Sequence, residues 1–279
     1  MKIKTILLFA AVAIMAAGCG KRPAPQSLSD NMPISHSKNA PGDSTIYGLT
    51  CPGGSDSVIV LLPNAGGNPI SFNIINARKN GMIFGTPTTG HWVGIITESK
   101  KSRVARLVVD LDEIKGTWTY RVMPHLRDVS HLSKAQQDRI IANMPDSIVD
   151  TYMIPRQYGF TLKRQSEVLP VGNVFGASNI DDDSPVEYPP VPTFREWHAY
   201  NGHILLAKGI RNKEGMLDKN PKAKPDTCDL VYMRDDSLVL RVKGNLISFK
   251  RQANSHTANA KANAAAKKQA EKAQENLKQ

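Results

Sequence analysis

The final third of the folded sequence limits the architecture most. It reads "FREWHAYNGHILLAKG", then "DTCDLVYMRDDSLVLRVKGNLISFKRQ". Asn201-Gly202 separates two runs rich in β-branched and aromatic residues, a strong signal for a two-residue hairpin. Further turns are expected at residues 234–236 and 243–245. Between them Leu238, Leu240 and Val242 alternate with Ser237, Val239 and Arg241, so one face of the strand is apolar, as a barrel wall requires. Alternation alone nominates Leu205, Leu238, Leu240 and Val242 as residues that either line a pocket or fill a core.

Upstream, the stretch from Asp43 to Asp112 holds five apolar runs, "STIYGLTC", "DSVIVLLP", "ISFNII", "HWVGIIT" and "RVARLVVDL". Turn clusters such as "CPGGS", "PNAGGNP" and "TPTTG" separate them. Such spacing fits a small barrel or curled sheet, with an OB-like barrel as one candidate. "GTWTYRV", Gly116 to Val122, opens a second region. A long segment follows in which Ser133 and Gln136 fit a capping box, and Leu132, Ala135, Ile140, Ile141 and Met144 predict a short amphipathic helix that ends before Pro145. That helix fits a lid over a barrel mouth, and equally a helix packed outside it. "NIDDDSPVEYPPVPT" is a second insertion, acidic and proline-rich.

The two ends differ from this middle. Lys2 and Lys4 precede "ILLFAAVAIMAA", an apolar run of signal-peptide length and too short to span a bilayer. Residues 19–42 carry four prolines and read as a tether. The tail, 252–279, is rich in alanine and lysine, which favours helix but offers no core-facing stripe. Its lysines, 261, 267, 268, 272 and 278, outnumber Glu271 and Glu275, so it either touches an anionic envelope polymer or lipid headgroups, or stays solvated. Net charge is +11, yet no nucleic-acid motif accompanies it, and nucleic acid is not an expected partner.

The chemistry-bearing residues form no recognised catalytic pattern. G-x-S-x-G, H-E-x-x-H, a Walker loop and C-x-x-C are all missing from the sequence. Asp181, Asp182 and Asp183 are consecutive rather than spaced as in a calcium loop. His198 and His203 flank the predicted turn but lack further ligands for a metal. The reading is therefore non-enzymatic, with no cofactor and no metal. Cys51 and Cys228 are an even pair in an oxidising compartment, and the sequence leaves open whether they are bridged.

Two resemblances sharpen these expectations. "AAGC" before Gly20 resembles the lipobox of bacterial lipoproteins, which implies a signal peptide at 1–18 and lipidation of Cys19. Gly20 and the basic "KRPAPQ" by resemblance favour the outer membrane, facing the periplasm. The order "GTW … YGFTLKR … FREW … NGHILLAKG … DTCDLVYMRDDSLVLRVKGNLISFKRQ" resembles the lipocalin-like domain of Bacteroides-type lipoproteins, preceded by a small β domain. The resemblance implies an all-β chain: an OB-like domain at 43–112, then an eight-stranded lipocalin-like barrel at 113–251, with a short helical insertion and a helical tail. It also implies that Trp118 closes the barrel base and that Arg251 lies over its ring. The expected function is a membrane-anchored lipoprotein that binds a small apolar or amphipathic ligand in the barrel. The alternative is an envelope scaffold or interaction module with a filled barrel.

Overall fold

The structure is a computed structural model and describes residues 39–142, 144, 152–172, 185–211, 217–253, 258–260 and 263–264. The expectations for the signal peptide, Cys19, most of the tether, Asp181–Asp183 and most of the tail lie outside the described residues. Residues 39–279 cluster as one compact unit that contains two main sheets.

The first sheet uses the five apolar runs read from the sequence. These are β1 (Ile46–Cys51), β2 (Val58–Pro63), β3 (Ile70–Asn73), β5 (Trp92–Thr97) and β6 (Ala105–Asp110). A short helix, α1 (Ile75–Lys79), and the two-residue β4 (Ile83–Phe84) lie between β3 and β5. The order is β3-β2-β1-β5-β6-β4, with only β4 running parallel to its neighbour. The sheet curls, because Asn73 at the end of β3 bridges Val104 just before β6. Leu61, Phe72, Ile74, Val93, Ile95 and Val108 are buried inside the curl, and α1 inserts Ala77.

The second sheet is built from β7 (Gly116–Val122), β9 (Arg156–Leu162), β10 (Val168–Val171), β12 (Phe194–Tyr200), β13 (His203–Arg211), β15 (Asp226–Arg234), β16 (Ser237–Val242) and β17 (Asn245–Gln252). All its pairings are antiparallel, and β17 returns to pair with β7, so the strands follow chain order around a nearly closed barrel. The seam between β10 and β12 carries one bridge, Glu167 to Glu196, plus the Trp197 N–H to Ser166 O bond of 2.8 Å. Two glutamates facing each other would repel. Lys163 and Arg195 hold Glu167 below its ordinary pKa, and Lys219 together with His198 does the same for Glu196 against the opposing effect of burial. Outside this sheet, β14 (Leu217–Lys219) extends β13, and β8 (His125–Leu126) pairs with β11 (Val186–Glu187). The insertion helix, α2 (Lys134–Ala142), is present. Gln136 Oε1 lies 3.2 Å from the Ser133 N–H, and Ser133 Oγ lies 3.4 Å from the Gln136 N–H, the reciprocal bonds of a capping box.

The hairpin at Asn201-Gly202 forms as its sequence predicts. Both residues have positive φ (47° and 81°), the mirror-image turn that suits the right-handed twist of paired strands. One expectation about parity fails. Leu205 does not point inward with Leu238 and Leu240. Ile204 and Leu206 are 1% exposed, whereas Leu205 is half-buried and sits in register with His198 and Thr227 on the other face. "HILLAKG" is apolar at three consecutive positions, so the strand could have met the core with either parity. Pairing of Leu206 with the buried Trp197 decides it.

Candidate functional site: the junction cleft and the barrel base

Where the two sheets meet, the turn Asp110–Lys115 organises the contact. Asp110 is fully buried. Its Oδ1 accepts the N–H groups of Asp112 and Glu113 at 2.9 Å each, and its Oδ2 lies 2.6 Å from His91 Nδ1. The same turn directs Glu113 across the gap. One carboxylate oxygen accepts the Thr86 N–H (2.6 Å) and the other accepts the Asp235 N–H (3.0 Å) at the β15–β16 turn. The backbone reinforces the bond network, since Gly85 N donates to Met233 O at 2.9 Å. Gly85 has φ +88°, and a Cβ there would lie 2.7 Å from Asp110 Cβ, so this crossing needs glycine.

Next to this junction lies the barrel base. Trp118 is 0% exposed and donates its indole N–H to Ile114 O at 2.7 Å. Arg251 Cζ sits 4.1 Å over the Trp118 ring. Its guanidinium donates to Lys115 O (2.8 Å), Glu113 O (2.6 Å) and Asp235 O (3.0 Å). The cation therefore stacks on one element and ties down three carbonyls from two turns. This geometry is planar and multidentate, which suits arginine and not lysine.

The β12–β13 turn contacts the first sheet at a second place. Asn201 N–H donates to Asp43 Oδ1 (3.0 Å), and Asn201 Oδ1 accepts from Ser44 N–H (2.9 Å). The Tyr47 hydroxyl lies 2.8 Å from both Asp43 Oδ2 and Ala199 O. Burial pushes the Tyr47 phenol well above its ordinary value, so it stays a donor.

Beside the Gly85–Met233 crossing opens a cleft of about 820 Å³. Its walls come from the β1–β2 end of the first sheet, from the loop Gly81–Thr89, and from Val231 to Arg234 of the barrel. Val60 and Ile83 are half-buried there, and Tyr232 is 48% exposed. Arg78 from α1 reaches the rim, where it pairs loosely with Asp56 at 3.5 Å. The lining mixes apolar side chains with threonine and serine hydroxyls, the Asp56 carboxylate and the Arg78 and Arg234 guanidinium groups, and the volume is in the ordinary range for a small-molecule site.

The barrel interior looks different. Leu238 and Leu240 are 0% and 1% exposed, and Val242 is half-buried on the same face. Phe160 meets Phe249 at 5.1 Å and Phe194 at 6.3 Å, and Tyr120 meets Phe249 at 5.4 Å. Rings from four strands thus pack against one another at separations typical of aromatic cores.

Of the remaining chemistry, Cys51 and Cys228 are both free thiols. Burial, with Asp226 and Asp229 adding to it, pushes the Cys228 thiol up to about 12. The structure does not join His198 and His203. His203 Nδ1 pairs with Asp229 at 2.8 Å, and His198 Nε2 lies 3.6 Å from Glu196. Among the described residues no three His, Cys, Asp or Glu side chains converge in a metal-binding group. Sequence reasoning missed Glu113 and the His91–Asp110 pair. The only local signal is the acidic turn "DLDE" just before "IKGTW". Comparison with family models, with curated proteins and with solved structures finds no match for the chain.

Proposed function

We propose that this chain is a non-enzymatic, lipid-anchored binding module of the cell envelope that takes an amphipathic ligand in the cleft between its two sheets. Cys19 is the anchor in this reading, residues 43–112 are an OB-like unit, and residues 113–251 are a lipocalin-like barrel. Support for the OB-like reading comes from the strand order, the helix inserted after β3, and the parallel contacts made to β6. Support for the lipocalin-like reading comes from the chain-order barrel, with Arg251 stacked on Trp118 at its base.

The observation that carries the proposal is the contrast between the two spaces. Aromatic rings pack in the barrel, while an 820 Å³ cleft lined by Val60, Ile83 and Tyr232 stands open at the junction with Arg78 at its rim. A ligand with an apolar body and an anionic or hydroxylated head fits that lining.

Mass spectrometry of organic extracts tests it, using residues 20–279 purified from the periplasm alongside a Tyr232→Glu variant. The expected result is a stoichiometric amphiphile with the unsubstituted protein and about a tenfold reduction in the variant, since a charge replaces an apolar wall. A ligand retained at full occupancy by Tyr232→Glu would move the site into the barrel. Clean extracts from both would overturn ligand binding in favour of an interaction module with a filled barrel.

A further inference from the structure

The barrel has two dissimilar ends. The base faces the first sheet. At the opposite end lie the termini of β7 and β13, the starts of β9, β15 and β17, and the β16–β17 turn. This far end displays large apolar side chains that nothing in the described structure covers. Leu246 and Leu126 are each 60% exposed, Ile210 49% and Met123 47%. They are not scattered. In the β17–β7 ladder Lys250 faces Thr119, and Leu246 and Met123 each lie four residues further along these neighbouring segments, towards the far end. Leu246 also pairs with Arg241 on its other side. Exposed leucines gathered at one end of a barrel mark an interaction surface more often than chance exposure.

The charge around them selects the partner. Three carboxylates at this end are engaged by cations, while Asp128, two residues after Leu126, accepts the Ser130 N–H instead. Asp226, 8% exposed, lies 3.1 Å from Lys243 and 3.7 Å from Lys208. Asp229 is shared by His203 and Arg241, and Glu187 pairs with His125 at 3.0 Å. Lys222 and Lys224, on the connection into β15, are exposed and form no ion pair among the described residues. Arg121 is likewise exposed, two residues before Met123. Apolar side chains that can enter a bilayer boundary, beside cations free to meet headgroups, match the two attractions of an interfacial membrane contact.

We propose that the far end of the barrel docks on an anionic phospholipid surface, with Leu246, Met123 and Leu126 entering the headgroup boundary and Lys222, Lys224 and Arg121 meeting lipid phosphates. The contact is separate from the acyl anchor expected at Cys19 and from the junction cleft. It presents the cleft away from the membrane, because the cleft lies at the other end of the barrel.

Co-sedimentation of residues 20–279, which lack the acyl group, tests the proposal with vesicles of phosphatidylethanolamine and phosphatidylglycerol, and with phosphatidylcholine vesicles as the uncharged control. Binding is expected to the anionic vesicles only, and to weaken as salt is raised. Leu246→Asp should weaken it about tenfold. Lys222→Glu with Lys224→Glu should weaken it at least as much, at about fivefold per lysine removed. All these positions are exposed, so thermal unfolding should stay unchanged and separate binding from folding. A fourth protein with the tail lysines 261, 267, 268, 272 and 278 changed to glutamine isolates the tail's contribution. The proposal is overturned if anionic vesicles are not bound, or if binding survives both far-end variants and disappears with the tail lysines. A concentration-dependent dimer that Leu246→Asp dissociates, without vesicle binding, would overturn it too and assign the surface to a second copy.

Discussion

Arg251→Ala is the substitution that probes the barrel base most directly. The guanidinium stacks 4.1 Å over Trp118 and donates to three carbonyl oxygens, those of Glu113, Lys115 and Asp235. A cation over an indole contributes about 0.5–2 kcal/mol. A hydrogen bond from a charged donor contributes about 1.5–3 kcal/mol when its surroundings are dry. Arg251 is only half-buried, so water replaces part of what is lost, and the bonds form one unit whose terms do not add. The expected loss is about 3 kcal/mol. For a folded region of this size that corresponds to a fall in Tm of about 6–12 °C.

Urea unfolding followed by tryptophan fluorescence measures it, with the slope m expected to stay constant. Arg251→Lys keeps the charge and loses the fork, so it should recover less than half of the deficit. Hydrogen exchange adds a spatial check. Glu113 connects Arg251 to the Thr86 N–H, so the Thr86 amide should exchange faster in Arg251→Ala. A loss below about 1 kcal/mol would refute the reasoning, because the three bonds alone should exceed it. Full recovery by lysine would show that charge, rather than planar geometry, matters.

Three further outcomes follow from single residues. Trp118→Ala removes a side chain that is 0% exposed and should cost about 3–5 kcal/mol in the same unfolding assay; an unchanged midpoint would mean that Trp118 does not hold the base. Iodoacetamide near neutral pH should label the half-exposed Cys51 in the native protein and reach Cys228 only after unfolding. Burial keeps the Cys228 thiol neutral by raising it from 9.0 to about 12, so its contribution is intact below 9.0 and declines as pH rises from there towards 12. Asp112 runs the other way. Burial raises its pKa, but the Lys115 ammonium and the Trp92 N–H outweigh burial and hold it below 3.8. Its stabilisation is therefore present above 3.8 and is lost as pH falls through the depressed value, so Asp112→Asn should flatten the acid limb of a stability–pH curve. Parallel acid limbs for both proteins would contradict the pairing.

How far the sequence reveals this architecture depends on how local each signal is. The Asn201-Gly202 hairpin and the Ser133–Gln136 cap are fixed by residues that touch within four positions, and both are legible. Trp118 and Arg251 are far apart in sequence, and only a resemblance links them. The parity of Leu205 was illegible because three adjacent apolar residues allow either face, and a register shift between Phe194 and Glu196 alters the alternation of the partner strand. The cleft was beyond reach altogether. Its walls come from residues 50–60, 74–89 and 231–234, three stretches whose convergence is a property of how two sheets pack. Glu113 is the clearest case of a hidden role. It reads as one acidic residue in a turn, yet each of its oxygens bonds an amide of a different sheet.

This sharing of bonds determines how function should be mapped. Removing residues 43–112 looks like a clean domain deletion from the sequence, but it would withdraw Thr86 from Glu113 and Asp43 from Asn201 at two separate turns of the barrel. It would also uncover Gly202, which lies so close to Ile96 and Leu107 that an added Cβ would be 3.0–3.1 Å from them, and Met233, which is 3% exposed against Gly85. Each loss exposes apolar surface or removes a hydrogen-bond partner, and net hydrogen-bond terms alone are about 0.5–1.5 kcal/mol apiece. A barrel made alone would therefore lose ligand or membrane contacts for reasons unrelated to where they bind. Point substitutions at exposed positions, Tyr232 at the cleft and Leu246 at the far end, keep both junction networks intact and assign a loss of binding to the surface that was changed.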